Sequence, residues 1–244
     1  MKVSKRSRLK IAASFLTGLL AGAMTVFVAC IVAHTPTAQC DDVTETFEVY
    51  DTPYEWVFNY NEDMQLPELP TGCEATAAST LARLNGYYVT KTQVADALPK
   101  SDSDFVNSFI GDPYSEHGWA TCAPCITNTL NGFFEIEEKY AATNLTGTDF
   151  FDLPLPCAVW ATIDMTLPGA PARTSGDYKL FWNTHCVVVT RVGEVAVDII
   201  DPLRGECQQP TDQFIEIYNA MGKQAVYVDD LTTILRMQRS EGNV

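Results

Sequence analysis

In the stretch "QLPELPTGCEATAA", residues 65–78, a cysteine follows two prolines and opens a run of helical spacing. Pro67 and Pro70 keep the approach extended, so a helix cannot begin before them. Thr71 has the chemistry of an N-cap, and Glu74 three residues later completes a capping box. Cys73 then falls in the first helical turn, where unpaired N–H groups and the helix dipole favour negative charge. A thiol there is expected to have its pKa lowered toward neutrality, and the thiolate is the nucleophile. A nucleophile needs a base, and the chain has three histidines, His34, His117 and His185. His185 opens the apolar run "HCVVVT", and a second run ends at Asp201. A hairpin loop Val192-Gly193-Glu194, centred on Gly193, sets His185 directly across from Asp201. Facing residues have Cβ atoms about 4.5–5.5 Å apart, so the carboxylate could orient one imidazole nitrogen.

These residues need elements to hold them. "CEATAASTLARLNGYY" places Ala77, Leu81 and Leu84 on one helical face and ends at Gly86, a C-cap residue. "KTQVADAL" and "APCITNTLNGFF" predict two further helices, with "FIGDPYSEHGWATC" a loop between them. In the C-terminal half, residues 157–163, 185–192, 194–200 and 224–230 are short β-branched runs bounded by turn residues. They predict a buried antiparallel sheet, with an amphipathic helix over 211–222. Helices first and strands second give an α+β domain whose two halves pack together. Residues 34–59 are read as a tether with an edge segment, 60–230 as the domain and 231–244 as a tail.

"QLPELPTGCEATAA", "FIGDPYSEHGWATCAPCI", "VWATI", "HCVVVT" and "DPLRG" together resemble cysteine-peptidase family 39, the bacteriocin-leader-processing group. The likeness is to stand-alone, export-associated relatives rather than transporter-fused forms, and it covers roughly residues 60–229. It implies a papain-like fold in which Cys73 is the nucleophile, His185 the base and Asp201 the orienting acid. It further implies that the Gln65 amide, with the Cys73 backbone N–H, would stabilise a tetrahedral oxyanion. The implied partner is a peptide or protein substrate, and no cofactor or metal is implied.

The ends and the composition set the surroundings. Residues 1–10 carry five basic residues and no acid, and Ile11–Ala33 runs without a charge. That length suits a spanning helix better than a signal-peptide core, and "AHTPTAQC" offers no clean cleavage site. A single signal-anchor with the domain outside the cell is therefore expected, with a cleaved signal as the rival. Beyond residue 34 the chain has 11 basic residues against 31 acidic, a net charge of −20 that disfavours nucleic acid and anionic lipid.

Seven cysteines lie outside the apolar segment; export would allow them to pair, and the odd count leaves room for one free thiol, best assigned to Cys73. "CAPC", Cys122 to Cys125, could be a redox pair, but a disulfide to other cysteines, or none, fits its loop context better. With His117 it would supply only three of the four ligands of a zinc site. Trp119, Trp160 and Trp182 could wall a substrate groove, but a core role is the expectation for each. Two rivals to an enzyme stand: a papain-fold peptide-binding module, and thiol–disulfide exchange through Cys122 and Cys125.

Overall fold

The computed structural model describes residues 57–135 and 139–230, and the expected spanning segment 11–33 lies outside them. The chain divides into two units, residues 1–49 and Tyr50–Val244, and every described residue belongs to the second. Among the described residues no helix is long and apolar enough to cross a membrane.

The helices come first: α1 Tyr60–Asp63, α2 Cys73–Leu84 and α3 Lys91–Ala97. A short parallel pair, β1 Lys100–Ser101 and β2 Phe109–Ile110, precedes α4 Ala123–Phe134. The strands follow: β3 Tyr140–Asn144, β4 Cys157–Thr162, the small hairpin β5 Arg173–Ser175 and β6 Tyr178–Leu180, β7 Thr184–Val192, β8 Ala196–Asp201 and β9 Gly205–Pro210. Helix α5 Thr211–Ala220 and strand β10 Ala225–Asp230 complete the domain. The main sheet has the order β3-β10-β4-β7-β8-β9, with every pair antiparallel. This is the expected mixture of helices and antiparallel sheet.

Packing follows from composition. Helix α2 buries Leu81 and the small residues Ala75, Ala77, Ala78 and Ala82, and the alanines let it lie close against β7, whose Cys186, Val187, Val188 and Val189 are also buried. Trp160 on β4 is fully buried, and its indole N–H donates to the Thr121 carbonyl at 2.8 Å, tying the sheet to the start of α4. Gly86 has φ +86° just past the end of α2, which suits the expected C-cap.

Several local expectations are corrected. The N-cap of α2 is Gly72, with no side-chain cap, so the Thr71–Glu74 capping box does not form. Thr71 Oγ1 instead faces the Asp112 and Ser115 carbonyls, and Glu74 turns inward and is buried. Gly72 is required by close approach, because a Cβ there would lie 2.7 Å from the Leu69 Cβ. Of the supposed edge segment only residues 57–59 are described, and they form no strand; Asn59 caps helix α1, which opens the domain. Strands β3 and β9 and the β5–β6 hairpin were not anticipated, since "YAATN", "GECQQP", "RTS" and "YKL" lack a sustained apolar alternation.

The β7–β8 hairpin departs from the symmetric register. Its loop is Gly193-Glu194-Val195, closed by the Gly193 N–H on the Ala196 carbonyl, and Val192 pairs with Val197. Extended without change, that register would turn Asp201 to the face opposite His185, because parity decides the face. A bulge between Val189 and Arg191 shifts the register by one, so that Val189 pairs with Ile199 and Val188 with Ile200. Continuing that ladder, Asp201 lies beside Val187 and diagonal to His185, on the same face.

The segment leading to α2 is held from below. Lys91, nearly fully buried, donates to the Asn61 and Met64 carbonyls at 2.6 Å each and to Glu68 Oε2 at 2.9 Å. Asp63 is likewise buried, bonded by Thr80 Oγ1 at 2.7 Å and by Arg83. Replacing Lys91 by Met would leave two carbonyls without their charged donor, and we expect a loss of about 3 kcal/mol in urea denaturation. A loss below about 1 kcal/mol would show that this anchor is dispensable.

Candidate active site

Each predicted site residue can now be placed. His185 lies near the start of β7, and Asp201 ends β8; both are buried. His185 Nε2 and Asp201 Oδ1 are 2.8 Å apart. An ionised carboxylate only accepts, so Nε2 carries the proton and Nδ1 is the nitrogen left for exchange. Asp201 Oδ1 also accepts the Leu203 backbone N–H at 2.8 Å, and Oδ2 accepts from Arg204 at 2.6 Å. Arg204 reaches on to the Ile163 carbonyl just past β4, closing this end of the sheet. Burial pushes the Asp201 carboxyl up, but the hydrogen bond and charge of His185, the Leu203 N–H and Arg204 outweigh it and hold the group at about 2.

Cys73 is the first residue of α2, as expected, and sits against β7. The backbone N–H of Cys186, the residue after His185, reaches the Cys73 sulfur. The expected lowering of the thiol pKa is not seen. Burial raises it well above the usual thiol value, followed by the charge of Glu74 and of Cys186. In this state the thiol donates to Glu74 Oε2 at 3.2 Å. The helix terminus still favours negative charge, but a buried sulfur beside a carboxylate loses more than that field supplies.

Gln65 connects the two halves. Its backbone N–H donates to the Pro202 carbonyl at 2.8 Å, immediately after Asp201, and its side-chain amide donates to the Pro70 carbonyl at 3.0 Å. The amide thus lies on the approach to Cys73, and its buried Oε1 has no hydrogen-bond partner. The loop beyond is wedged in place: a Cβ on Gly118 would lie 2.2 Å from Thr71 Oγ1.

The other candidates lie elsewhere. His117 is exposed on the loop before α4. None of the six described cysteines is in a disulfide, which corrects the expectation of pairing. Cys122 and Cys125 sit at the N-terminus of α4, buried, with burial pushing Cys122 up strongly and Cys125 to about 11. Thiols held neutral in this way are poorly suited to exchange. A cavity of about 440 Å³ lined by Ala97, Pro99, Asn128, Thr129, Gly132 and Phe133 holds no titratable group.

Two features depart from the expectation. Trp182, three residues before His185, is 79% exposed and stacks on Trp119 with ring centroids 4.3 Å apart; neither is a core residue. The indole N–H of Trp119 donates to the Phe181 carbonyl, which fixes the pair. Glu74, read as a cap, instead touches the nucleophile candidate.

The depressed pKa of Asp201 has a consequence for stability. Its folded value lies below the unfolded one of about 3.9, so its contribution is present above that pH and is lost as pH falls toward 2. The gap corresponds to about 2–3 kcal/mol. Urea denaturation at about pH 5 and about pH 2.5 should show Asp201→Asn losing less stability on acidification than wild type, by about 1.5–2 kcal/mol, since part of the gap is still untitrated at the lower pH. Equal acid losses would contradict the pairing.

Residues 54–226 match the family model described as the Peptidase_C39 like family. No curated protein matches. Among solved structures, a Bacillus anthracis protein assigned as a C39-like peptidase is similar at TM-score 0.56 and 23% identity, over 67% of this chain and 90% of that one. The double-glycine-motif protease of an AMS/PCAT transporter, solved with its leader peptide, gives TM-score 0.41 and 15% identity over 68% and 87%. The peptidase domain of Streptococcus ComA, a bifunctional ABC transporter of a quorum-sensing pathway, gives 0.40 and 12% over 64% and 90%. The Bacillus structure carries the likeness of fold, the family match spans most of the chain, and the chain belongs to the Peptidase_C39-like family.

Proposed function

We propose that the chain is a cysteine peptidase-like hydrolase or acyl transferase of papain-like fold, acting on peptide bonds through Cys73, His185 and Asp201. The observation that carries this reading is the buried His185–Asp201 bond of 2.8 Å, placed where the N-terminus of α2 brings Cys73 to β7. His185 Nδ1 takes the Cys73 proton, and the sulfur adds to the substrate carbonyl. Gln65 Nε2 and the Cys73 backbone N–H face the developing oxyanion. The imidazolium, supported by Asp201, returns its proton to the leaving amine, and a thioester remains. Water or an amine then takes the acyl group, with His185 removing its proton.

The rim supports a peptide substrate. Exposed apolar side chains lie close in the chain to the site residues: Trp182 three residues before His185, Ile163 just past β4, and Leu66 next to Gln65. The reading includes export, with residues 11–33 as a membrane tether. A second reading, a papain-fold binding module, is favoured by the thiol held protonated on Glu74 in this state.

A peptide-library cleavage profile on the purified protein separates the two. Enzyme activity predicts defined cleavage that Cys73→Ser abolishes while the melting temperature stays within a few degrees of wild type. Peptide binding without cleavage by wild type would favour the module. A large loss of stability in Cys73→Ser would mark the cysteine as structural. Trp182→Ala is expected to raise KM about tenfold with kcat nearly unchanged, as removal of uniform binding does. Unchanged KM would take the stacked pair out of the substrate site.

A further inference from the structure

Glu74 is a buried carboxyl without a cation. Among the described residues no Lys, Arg or His is paired with it. Its Oε1 accepts the Thr121 backbone N–H at 3.0 Å, and its Oε2 accepts the Cys73 thiol at 3.2 Å. The titratable groups that feel it are thiols: Cys73 on its own helix, Cys186 on β7, and Cys122 and Cys125 at the start of α4. An acid in the first turn of a helix ordinarily faces solvent, where it interacts with the dipole at no desolvation cost. Here it is enclosed against the sulfur. Such burial is costly for the ionised form, and it raises the Glu74 carboxyl to about 7, even with the Thr121 N–H, its own backbone N–H and the Cys73 thiol opposing the rise.

We propose that Glu74 is a positioning residue that decides whether Cys73 stands as thiol or thiolate. When Glu74 is neutral its O–H donates to the sulfur, and the pair Cys73 thiolate–His185 imidazolium is supported. When Glu74 is ionised it accepts the proton of the thiol, and Cys73 is neutral beside a neutral imidazole. Passing from the first arrangement to the second releases one proton: Glu74 and His185 each give one up, and the sulfur gains one. The nucleophile is therefore armed on the acid side of the Glu74 titration and disarmed above it. The thiol donating to Glu74 represents the disarmed arrangement. This inference rests on Cys73 being the nucleophile.

The test is the pH dependence of Cys73 alkylation by iodoacetamide, mapped by mass spectrometry, in wild type and Glu74→Gln. The Gln variant keeps an oxygen for the Thr121 N–H and an N–H for the sulfur, but it cannot ionise. Wild-type labelling should fall as pH rises through about 7, whereas Glu74→Gln should show no such fall. At about pH 8 the variant should label about tenfold faster, with the two within about twofold at about pH 5.5. Parallel profiles would overturn the proposal. A variant that does not fold leaves the infrared carboxyl band of wild type as the measure. A protonated buried carboxyl present at about pH 6, lost by about pH 8.5 and shifted by Cys73→Ser supports the inference; its absence at pH 6 overturns it. Labelling that follows the expected profile in a protein that cleaves no peptide would bear against the proposed peptidase reaction and leave the Glu74–Cys73 coupling standing.

Discussion

The site depends on a histidine and an aspartate sharing one face of the sheet inside the protein. A carboxylate without solvent survives only if its lone pairs are used, and Asp201 uses them on His185, the Leu203 N–H and Arg204. Each partner has a structural origin. The β7–β8 ladder supplies His185, the turn after Pro202 supplies the Leu203 N–H, and Arg204 bridges to the carbonyl past β4. The bulge between Val189 and Arg191 is the small irregularity on which this rests, because it converts a register of the wrong parity into the right one.

The helical half is brought to that point by contacts that run through Gln65. Its backbone N–H is bonded to the carbonyl of Pro202, next to Asp201, and its side chain to Pro70 on the way into α2. Lys91 holds the chain just before it. Cys73 consequently arrives at β7 beside Cys186, one residue from His185. The same enclosure that aligns these groups also removes water from the sulfur, so the helix terminus alone cannot supply a thiolate. In the proposed reaction, activation comes from the imidazole and from the protonation state of Glu74.

Much of this was readable in the residues, for identifiable reasons. Helices α2, α3, α4 and α5 and strands β4, β7, β8 and β10 carry strong periodic or β-branched patterns, and their bounds agree with expectation to within a few residues. The nearness of His185 to Asp201 was also legible, though through a loop placed too early and a bulge not foreseen. The placement survived because the two differences together shift the pairing by two residues, which preserves the face. What was not legible depended on tertiary burial. Glu74 looks like a cap in sequence, yet packing turns it onto the sulfur, and the thiol pKa rises rather than falls. Trp182 looks like core, yet it stands exposed on Trp119, since it lies in the turn just before the buried strand β7. Cysteine counting suggested pairs, but none of the six described cysteines is in a disulfide, although Cys122 and Cys125 share the start of α4.

The central claim is that Cys73 forms a covalent bond to substrate with His185 as its proton partner. Acid-quenched mass spectrometry of wild type turning over a cleaved peptide tests it most directly. The account predicts a thioester on the peptide containing Cys73, absent in His185→Ala, while Asp201→Asn forms it slowly. Cleavage with no adduct on Cys73, or an adduct that persists at full rate without His185, would contradict it.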